Sequence, residues 1–333
     1  MNTMIECLSH NSSPVGPEVV GLGEVLCRFS PPQGERLEQA RDLSVHVGGA
    51  EANVVAALAR FGIASSIVSC LPNSPLGRRA RGELALAGVD LRHLTMGAAK
   101  ERIGTFFAER SSGVWPTEVW YDRAESYFAR AIEWPQGSLN GARFAVMSGI
   151  TPAISEHARL ACEAMLREAH ETGAKVCLDV NYRARMWSID AAREALEPFL
   201  AAASLVVCSE RDATLLFGPE ANDPRWLLDR YAPAAEYCVV TQGERGALGF
   251  QANVGPCRVE ARPTRGGDRI GIGDAFTAGV ICGLVENQSM SEALSLGSRS
   301  AALKAGTVGD MSLARRRDLD VVADTSSGST VLR

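Results

Sequence analysis

The pattern that most constrains the fold of this chain is an alternation of apolar and amphipathic segments beyond about residue 140. Four apolar runs have the length of buried strands, at 144–147, 175–180, 204–208 and 237–241. Three stretches with helical periodicity separate them, at 155–171, 190–203 and 210–217. Strands that alternate with helices of this length indicate βαβ units. The sequence therefore predicts an α/β fold, with a doubly wound, mostly parallel sheet flanked by helices.

The first third of the chain has a different pattern. Strand-like runs occupy 19–29, 43–47 and 66–71, and helical stretches occupy 50–61 and 76–87. Two further alternating runs follow, at 103–109 and 117–121. We expect the segments of about 27–47 and 102–122 to form a small β-sheet lid over the functional site.

These patterns predict one main domain over residues 18–322. Residues 1–17 mix Asn, Ser, Pro and His without the apolar core of a signal peptide, so we interpret them as a disordered lead-in. Residues 323–333 are expected to be a flexible tail. Lid strands with an apolar face favour a homo-oligomer.

Composition excludes several classes of function. Of the 333 residues 46% are hydrophobic, and the net charge of −5 argues against nucleic acid as the main partner, which requires a strongly basic face. No apolar run approaches the ~20 residues that span a membrane. The nine cysteines include no CxxC pair, which indicates reduced core thiols and a cytoplasmic protein.

A glycine-rich turn at residues 268–276, DRIGIGDAF, is the most informative short segment. Glycines let a backbone approach a ligand closely, and the first amides of the helix predicted after the turn have no helical partner. Such a start can bind a phosphate, and Asp274 at its mouth can take a proton from a hydroxyl. The combination indicates phosphoryl transfer to an alcohol. A simpler interpretation is a helix start with Asp274 as its N-cap.

A second glycine cluster, VGGAEAN at residues 47–53, opens the first strong helix. A strand that ends in Gly-Gly brings backbone amides close to a small polar ligand, and Asn53 can both donate and accept hydrogen bonds. The alternative interpretation is a turn followed by capping residues.

The two clusters together resemble the GG-x-x-x-N and D-x-x-G-x-GD signatures of ribokinase-like (PfkB-type) sugar kinases. Segments 71–77, 121–124, 179–183 and 301–304 are most similar to the 2-keto-3-deoxygluconate kinase branch. The resemblance implies a ribokinase-like fold and the ATP- and Mg²⁺-dependent phosphorylation of the terminal hydroxyl of a sugar acid. A monovalent-cation loop near Asp268 is implied as well.

The resemblance also implies a role for individual residues. Asp274 is expected to be the catalytic base, and the anion hole is expected to comprise Gly271, Ile272 and Gly273. ATP would be bound by the same two glycines together with Ser209, Thr241, Gly243, Gly246 and Asp268. Asp212 would hold Mg²⁺ through a water molecule.

The expected sugar site comprises Gly49, Asn53, Phe106, Tyr121, Arg123 and Arg183. A sugar acid carries a carboxylate, which a guanidinium can bind through two parallel hydrogen bonds. Tyr121-Asp122-Arg123 and Asn181-Tyr182-Arg183 match the branch's carboxylate-binding positions. The alternative for either arginine is a solvated surface residue, since the chain has 31 arginines.

Several residues depart from the family pattern. Ile272 is bulky where a small residue is usual, Ser209 and Asp212 replace Asn and Glu of the magnesium-associated N-x-x-E motif, and Phe106 replaces a hydroxylated ring. Two other functions therefore remain open. One is a neutral-sugar kinase of the fructokinase or ribokinase type, and the other is a non-catalytic sugar-binding regulator with the same fold.

Overall fold

The computed structural model describes residues 16–110, 115–264 and 267–324. Most of the expected lead-in (1–17) and of the expected tail (323–333) lies outside these ranges. The last described helix ends at Asp324, two residues beyond the expected domain end at 322.

The main sheet of the described chain has nine strands in the order β13-β12-β11-β10-β9-β8-β1-β4-β5. These strands are β1 Val19–Leu22, β4 Ser65–Pro72, β5 Leu94–Gly97, β8 Phe144–Ser148, β9 Lys175–Asp179, β10 Leu205–Ser209, β11 Tyr237–Thr241, β12 Ala247–Gln251 and β13 Gly255–Val259. All neighbouring pairs from β11 to β5 are parallel, whereas β12 and β13 are antiparallel. The predicted mostly parallel sheet is confirmed.

Helices cover both faces of this sheet. They are α1 Ala50–Arg60, α2 Pro75–Ala87, α3 Tyr127–Ala131, α4 Glu156–Thr172, α5 Ile189–Ala202, α6 Glu210–Phe217, α7 Pro224–Tyr231, α8 Ile272–Val285, α9 Met290–Ala305 and α10 Arg316–Asp324. Short 3₁₀ helices lie at Thr151–Ala153, Pro219–Asn222 and Gly243–Arg245. Side chains of α4 to α7 share one buried core, and those of α1, α8 and α9 share another. The fold is therefore doubly wound.

A smaller four-stranded sheet has the order β3-β2-β6-β7. Its strands are β2 Leu26–Ser30, β3 Ser44–Gly48, β6 Thr105–Glu109 and β7 Glu118–Asp122. They lie in the two segments that the sequence assigned to a β-lid, and we call this sheet the lid sheet.

The single strand expected at 19–29 is wrong. The chain forms β1 in the main sheet, leaves it at Gly23, and enters the lid sheet as β2. Gly23 and Glu24 lie between the two strands, but both strands are almost entirely buried, so their apolar pattern does not show that the second one joins a different sheet. Strands β5, β12 and β13 were not predicted from the sequence.

The described helices and cysteines can be compared with the composition. In the described part of the chain no helix is both long and apolar enough to cross a membrane. Eight of the nine cysteines lie in that part, and all eight are free thiols, seven of them buried.

Candidate active site

A cavity of about 770 Å³ lies at the carboxyl ends of the central strands. Asp179, Ser209 and Thr241 are the last residues of β9, β10 and β11, and all three line this cavity. Residues of the lid sheet and the starts of α1 and α8 line it as well. This is where doubly wound sheets bind ligands, because the loops that follow adjacent parallel strands converge there.

Asp274 and Asn53 meet in this cavity although 221 residues separate them. The Asn53 side-chain amide donates a hydrogen bond of 2.6 Å to Asp274 Oδ2. Helix α8 begins at Ile272, which places Asp274 inside the first turn, and the N-cap position belongs to Gly271. The interpretation of Asp274 as a simple N-cap is therefore wrong. Its carboxylate is instead oriented by the hydrogen bond from Asn53 on α1.

The start of α8 leaves its first amides without a side-chain cap. Gly271 has φ 83°, and a Cβ there would lie 2.1 Å from the carbonyl oxygen of Asp310, so the turn requires glycine. A Cβ on Gly273 would meet no atom within 4 Å, and both glycines line the cavity. Ile272 is half-buried and is not part of the cavity lining. An anion can reach these amides from the open side.

Two aspartates on the cavity floor have raised pKa values. Burial raises the pKa of Asp274 to about 6, while the hydrogen bond from Asn53 and the charge of Arg183 act in the opposite direction. Burial, followed by repulsion from Asp274, raises the pKa of Asp179 to about 8. At neutral pH Asp274 is therefore mostly ionised and able to accept a proton, whereas Asp179 is mostly protonated.

Ser209 and Asp212 lie together at the start of α6, and both line the cavity. The Ser209 hydroxyl accepts a hydrogen bond of 3.0 Å from the amide of Asp212 and caps the helix. Burial raises the pKa of the Asp212 carboxyl. The described residues include no cluster of three or more His, Cys, Asp or Glu that could hold a metal ion.

The expected ATP loop follows β11. Thr241 lines the cavity. Gly243 is the first residue of the 3₁₀ turn beside it and Gly246 follows that turn, and neither glycine is in the cavity lining. Gly246 has φ 95°, and a Cβ there would lie 1.9 Å from the carbonyl oxygen of Val259. That glycine is thus required by the close packing of its turn against the end of β13.

The lid sheet contributes aromatic and charged side chains. Phe106 and Tyr121 pack with ring centroids 6.0 Å apart, and both line the cavity with Arg123. Arg123 is buried, and its Nε and Nη2 lie 2.7 and 2.6 Å from Glu24 Oε2. Its charge is therefore already paired with a carboxylate of the protein, a partner that the sequence did not suggest.

Arg183 differs from Arg123 in its surroundings. It follows β9 on a loop where Asn181 has φ 40°, and both residues line the cavity. Its Nη1 donates to the carbonyl oxygen of Tyr182 at 3.3 Å, and no carboxylate in the described chain lies within ion-pair distance of it. Gly49, at the start of α1 with φ 154°, lines the opposite part of the cavity.

Asp268 lies outside the cavity lining, in contrast to its expected role in ATP binding. It is buried, and its Oδ2 accepts a hydrogen bond of 2.6 Å from Arg28 on the lid strand β2. Although burial acts to raise the pKa of Asp268, the hydrogen bond and charge of Arg28 hold it below its ordinary value. Its Oδ1 accepts from the amide of Ile270 and so shapes the turn that leads to Gly271.

Several carboxylates of the cavity lining were not singled out from the sequence, among them Glu24, Glu51 and Asp179. Glu51 is buried in the first turn of α1, where Ser148 and Thr151 donate hydrogen bonds to its Oε1. Asp179 is the last residue of β9 and lies next to the end of the strand predicted at 175–180, which was a usable signal. Glu24 and Glu51 gave no local signal, because their partners are about 100 residues away.

Residues 17–316 match the model of the pfkB family of carbohydrate kinases. The chain is a member of this family. It is 36% identical to a 2-dehydro-3-deoxygalactonokinase of Haloferax volcanii over 89% of this chain and 93% of that protein. It is 25% identical to a 2-dehydro-3-deoxygluconokinase of Bacillus subtilis over 88% and 91%. The solved 2-dehydro-3-deoxygluconokinase of Thermotoga maritima superimposes with a TM-score of 0.82 and 29% identity, covering 92% of this chain and 99% of that one.

The family membership establishes that this chain is a PfkB-type sugar kinase. It confirms the resemblance and the ribokinase-like fold expected from the two glycine clusters. The preceding geometry gives the physical basis, because a carboxylate that can accept a proton and a set of free helix amides face one cavity.

Proposed function

We propose that this kinase transfers the γ-phosphoryl group of ATP to the terminal hydroxyl of 2-keto-3-deoxygluconate or a closely related keto-deoxy sugar acid. The observation that supports it most strongly is the hydrogen bond of Asn53 to Asp274 at the uncapped start of α8. It orients a base for the sugar hydroxyl beside amides that can bind the transferred phosphoryl. Phosphoryl transfer depends mainly on such positioning and charge stabilisation.

In this proposal Asp274 accepts the hydroxyl proton as the sugar oxygen attacks the phosphorus. The amides of Gly271, Ile272 and Gly273 donate to the oxygens of the phosphoryl group as negative charge develops on them. The Ile272 side chain is no obstacle, since it does not line the cavity and only its backbone is needed.

We assign the nucleotide to the part of the cavity formed by the ends of β10 and β11, where Ser209 and Thr241 lie. Gly243 and Gly246 shape the following turn against which the nucleotide would lie. Asp212 would hold Mg²⁺ with help from the ATP phosphates, since Mg²⁺ usually combines one or two carboxylates with phosphate and water ligands. The ion would neutralise charge on the phosphates.

We assign the sugar to the space between α1 and the lid sheet, lined by Gly49, Asn53, Phe106 and Tyr121. Arg183 is the principal group for the substrate carboxylate, because it faces the cavity without a carboxylate partner in the described chain. Arg123 contributes less charge, since Glu24 already neutralises it. The names of the Haloferax and Bacillus relatives support a keto-deoxy acid as substrate.

A neutral-sugar kinase is the second candidate, and the pairing of Arg123 with Glu24 favours it. While Arg123 is paired with Glu24, only Arg183 of the two arginines expected to bind the substrate carboxylate has no ion pair in the described chain. The two candidates make different predictions for Arg183.

The test is ADP release with Mg²⁺-ATP on 2-keto-3-deoxygluconate, its galacto epimer, fructose and ribose. For the acids, Arg183→Gln should raise KM on the order of tenfold to a hundredfold, the effect of losing charge-assisted hydrogen bonds. Arg225→Gln, at an exposed arginine on α7, is the matched control and should leave KM unchanged. Turnover of fructose or ribose that is insensitive to Arg183→Gln would replace the sugar-acid assignment by the neutral-sugar one.

A further inference from the structure

A buried cluster of four charged side chains lies behind the start of α8. Arg28, on lid strand β2, is fully buried, and its Nη2 and Nε lie 2.6 and 2.8 Å from carboxylate oxygens of Asp268 and Asp310. Lys304, near the end of α9, is the fourth member and is also fully buried. Two cations and two carboxylates balance the formal charge of this cluster.

The Lys304 ammonium lies in a cage of oxygen atoms. Its Nζ is 3.4 Å from the carbonyl oxygen of Asp268 and 3.4 Å from that of Thr307. Both distances are long for hydrogen bonds, so several oxygens share the charge without one strong partner. Burial lowers the pKa of Lys304, while the carboxylates of Asp268 and Asp310 act to raise it. Backbone carbonyls and carboxylates are also the oxygen ligands that bind hard cations in proteins.

Lys304 contacts the anion-binding turn directly from behind. A Cβ built on Gly271 would lie 3.3 Å from Lys304 Cε, so the lysine stem packs against the N-cap of α8. The carbonyl oxygen of Asp268, the first residue of the same turn, accepts a hydrogen bond from this ammonium. The side chain of Asp268 accepts a hydrogen bond from the amide of Ile270. The positive charge thus supports the turn from a position outside the cavity lining, although Asp310 of the same cluster lines the cavity.

We propose that the Lys304 ammonium acts as a built-in monovalent cation behind the anion-binding turn, so that the kinase requires no added K⁺. The resemblance to the sugar kinases had implied a cation loop near Asp268, and the structure disagrees with a free ion there. The oxygens of Asp268 and Thr307 already face an ammonium, and Arg28 and Lys304 balance the two carboxylates. An added cation would have to displace the ammonium from these oxygens.

Lys304 is a positioning residue in this proposal, because it acts on the reaction through the turn. The inference rests on the proposed kinase function only for its kinetic readout. Binding of K⁺ to the folded protein would stabilise it by mass action, and that can be measured without any substrate.

The first experiment compares the full-length protein in buffers containing tetramethylammonium, too large for the cage, or K⁺. The thermal midpoint and the rate of ADP release with 2-keto-3-deoxygluconate should both stay unchanged when K⁺ replaces tetramethylammonium. A midpoint that rises with K⁺ would overturn the proposal, and so would a rate that requires K⁺. A wrong sugar assignment would abolish ADP release in both buffers and leave the thermal comparison intact.

The second experiment uses Lys304→Met, which keeps the length of the side chain and removes its charge. In tetramethylammonium kcat should fall on the order of tenfold or more, and K⁺ or NH₄⁺ should restore part of it. Lys100→Met, at an exposed lysine in a turn, is the matched control and should respond to neither ion. A folded Lys304→Met protein with full activity, or with a loss that neither ion reverses, would contradict the cation role. If the Lys304→Met protein does not fold, the comparison of the wild-type protein in tetramethylammonium and K⁺ buffers tests the proposal by itself.

Discussion

The helices of this kinase begin in two contrasting ways. Helices α4, α5 and α9 start at Ser155, Ser188 and Ser289, whose side chains accept hydrogen bonds from first-turn amides. Helices α1 and α8 start at Gly49 and Gly271, which have positive φ angles and provide no side-chain cap. The serine caps stabilise their helices, whereas the glycine starts leave backbone amides free to bind a ligand.

The two glycine starts lie on the cavity and are joined by the hydrogen bond between Asn53 and Asp274. In the proposed mechanism, this chain gives up local helix stabilisation where it needs donors for an anion. A substitution in a glycine start that causes no steric clash should then affect turnover far more than stability. A substitution at a serine cap outside the cavity should do the reverse.

The largest effect is expected for Asp274→Asn. The amide keeps the shape but cannot accept the hydroxyl proton, so kcat should fall by about 10²–10⁴-fold while sugar binding persists. ADP release and calorimetric sugar binding measure the two effects. Asp229→Asn, at an exposed carboxylate on α7, is the control and should retain full activity. Substantial turnover by the Asp274 variant would show that another group accepts the proton.

Alanine substitutions of Gly271 and Gly273 sharpen the comparison within one turn. At Gly271 the new methyl would meet the carbonyl of Asp310, so both stability and kcat should fall, the stability by roughly 1–3 kcal/mol. At Gly273 it would enter open space where the phosphoryl is expected, so kcat should fall at least about tenfold without loss of stability. Thermal unfolding and ADP release distinguish the two variants. If both lost the same amount of thermal stability, that would count against a ligand-binding role for Gly273.

The pH dependence tests the electrostatics of the cavity. The pKa of Asp274 is raised to about 6, and a general base must be deprotonated to work. We therefore expect kcat/KM to be independent of pH above about 7 and to fall roughly tenfold per pH unit well below 6. Because Asn53 acts to lower this pKa, Asn53→Ala should move the inflection to higher pH. An inflection near the ordinary aspartate pKa, about 4, would contradict the raised pKa that burial gives Asp274.

The smallest effect is expected at a serine cap remote from the cavity. Ser289→Ala removes a capping box at the start of α9 and should lower the free energy of unfolding by about 0.5–2 kcal/mol. The kinetic constants should not change, since Ser289 does not line the cavity. Thermal unfolding and ADP release are the measurements. A change in kcat as large as that of Gly273→Ala would remove the distinction between the two kinds of helix start.

Much of this architecture could be predicted because its signals are local. The period of apolar residues located β8 to β11 and α4 to α6, and the turn at 268–276 located the glycine start of α8 beside the cavity. The change of sheet after Gly23 could not be predicted, because β1 and β2 are both buried and differ only in the sheet to which they belong. Glu51 could not be recognised either, since an acid in the first turn of a helix is usual on an exposed surface.

The sequence by itself determined the α/β class, the position of the glycine turns and the presence of a carboxylate, that of Asp274, in one of them. Only the tertiary structure decided which charges are free: Arg123 is paired with Glu24, whereas Arg183 faces the cavity without a carboxylate partner in the described chain. It also placed Asn53 on Asp274 and Lys304 behind Gly271. The reason is physical. Secondary structure follows from neighbours within a few residues, whereas pairing and burial of charges depend on distances between residues roughly 100 to 200 positions apart.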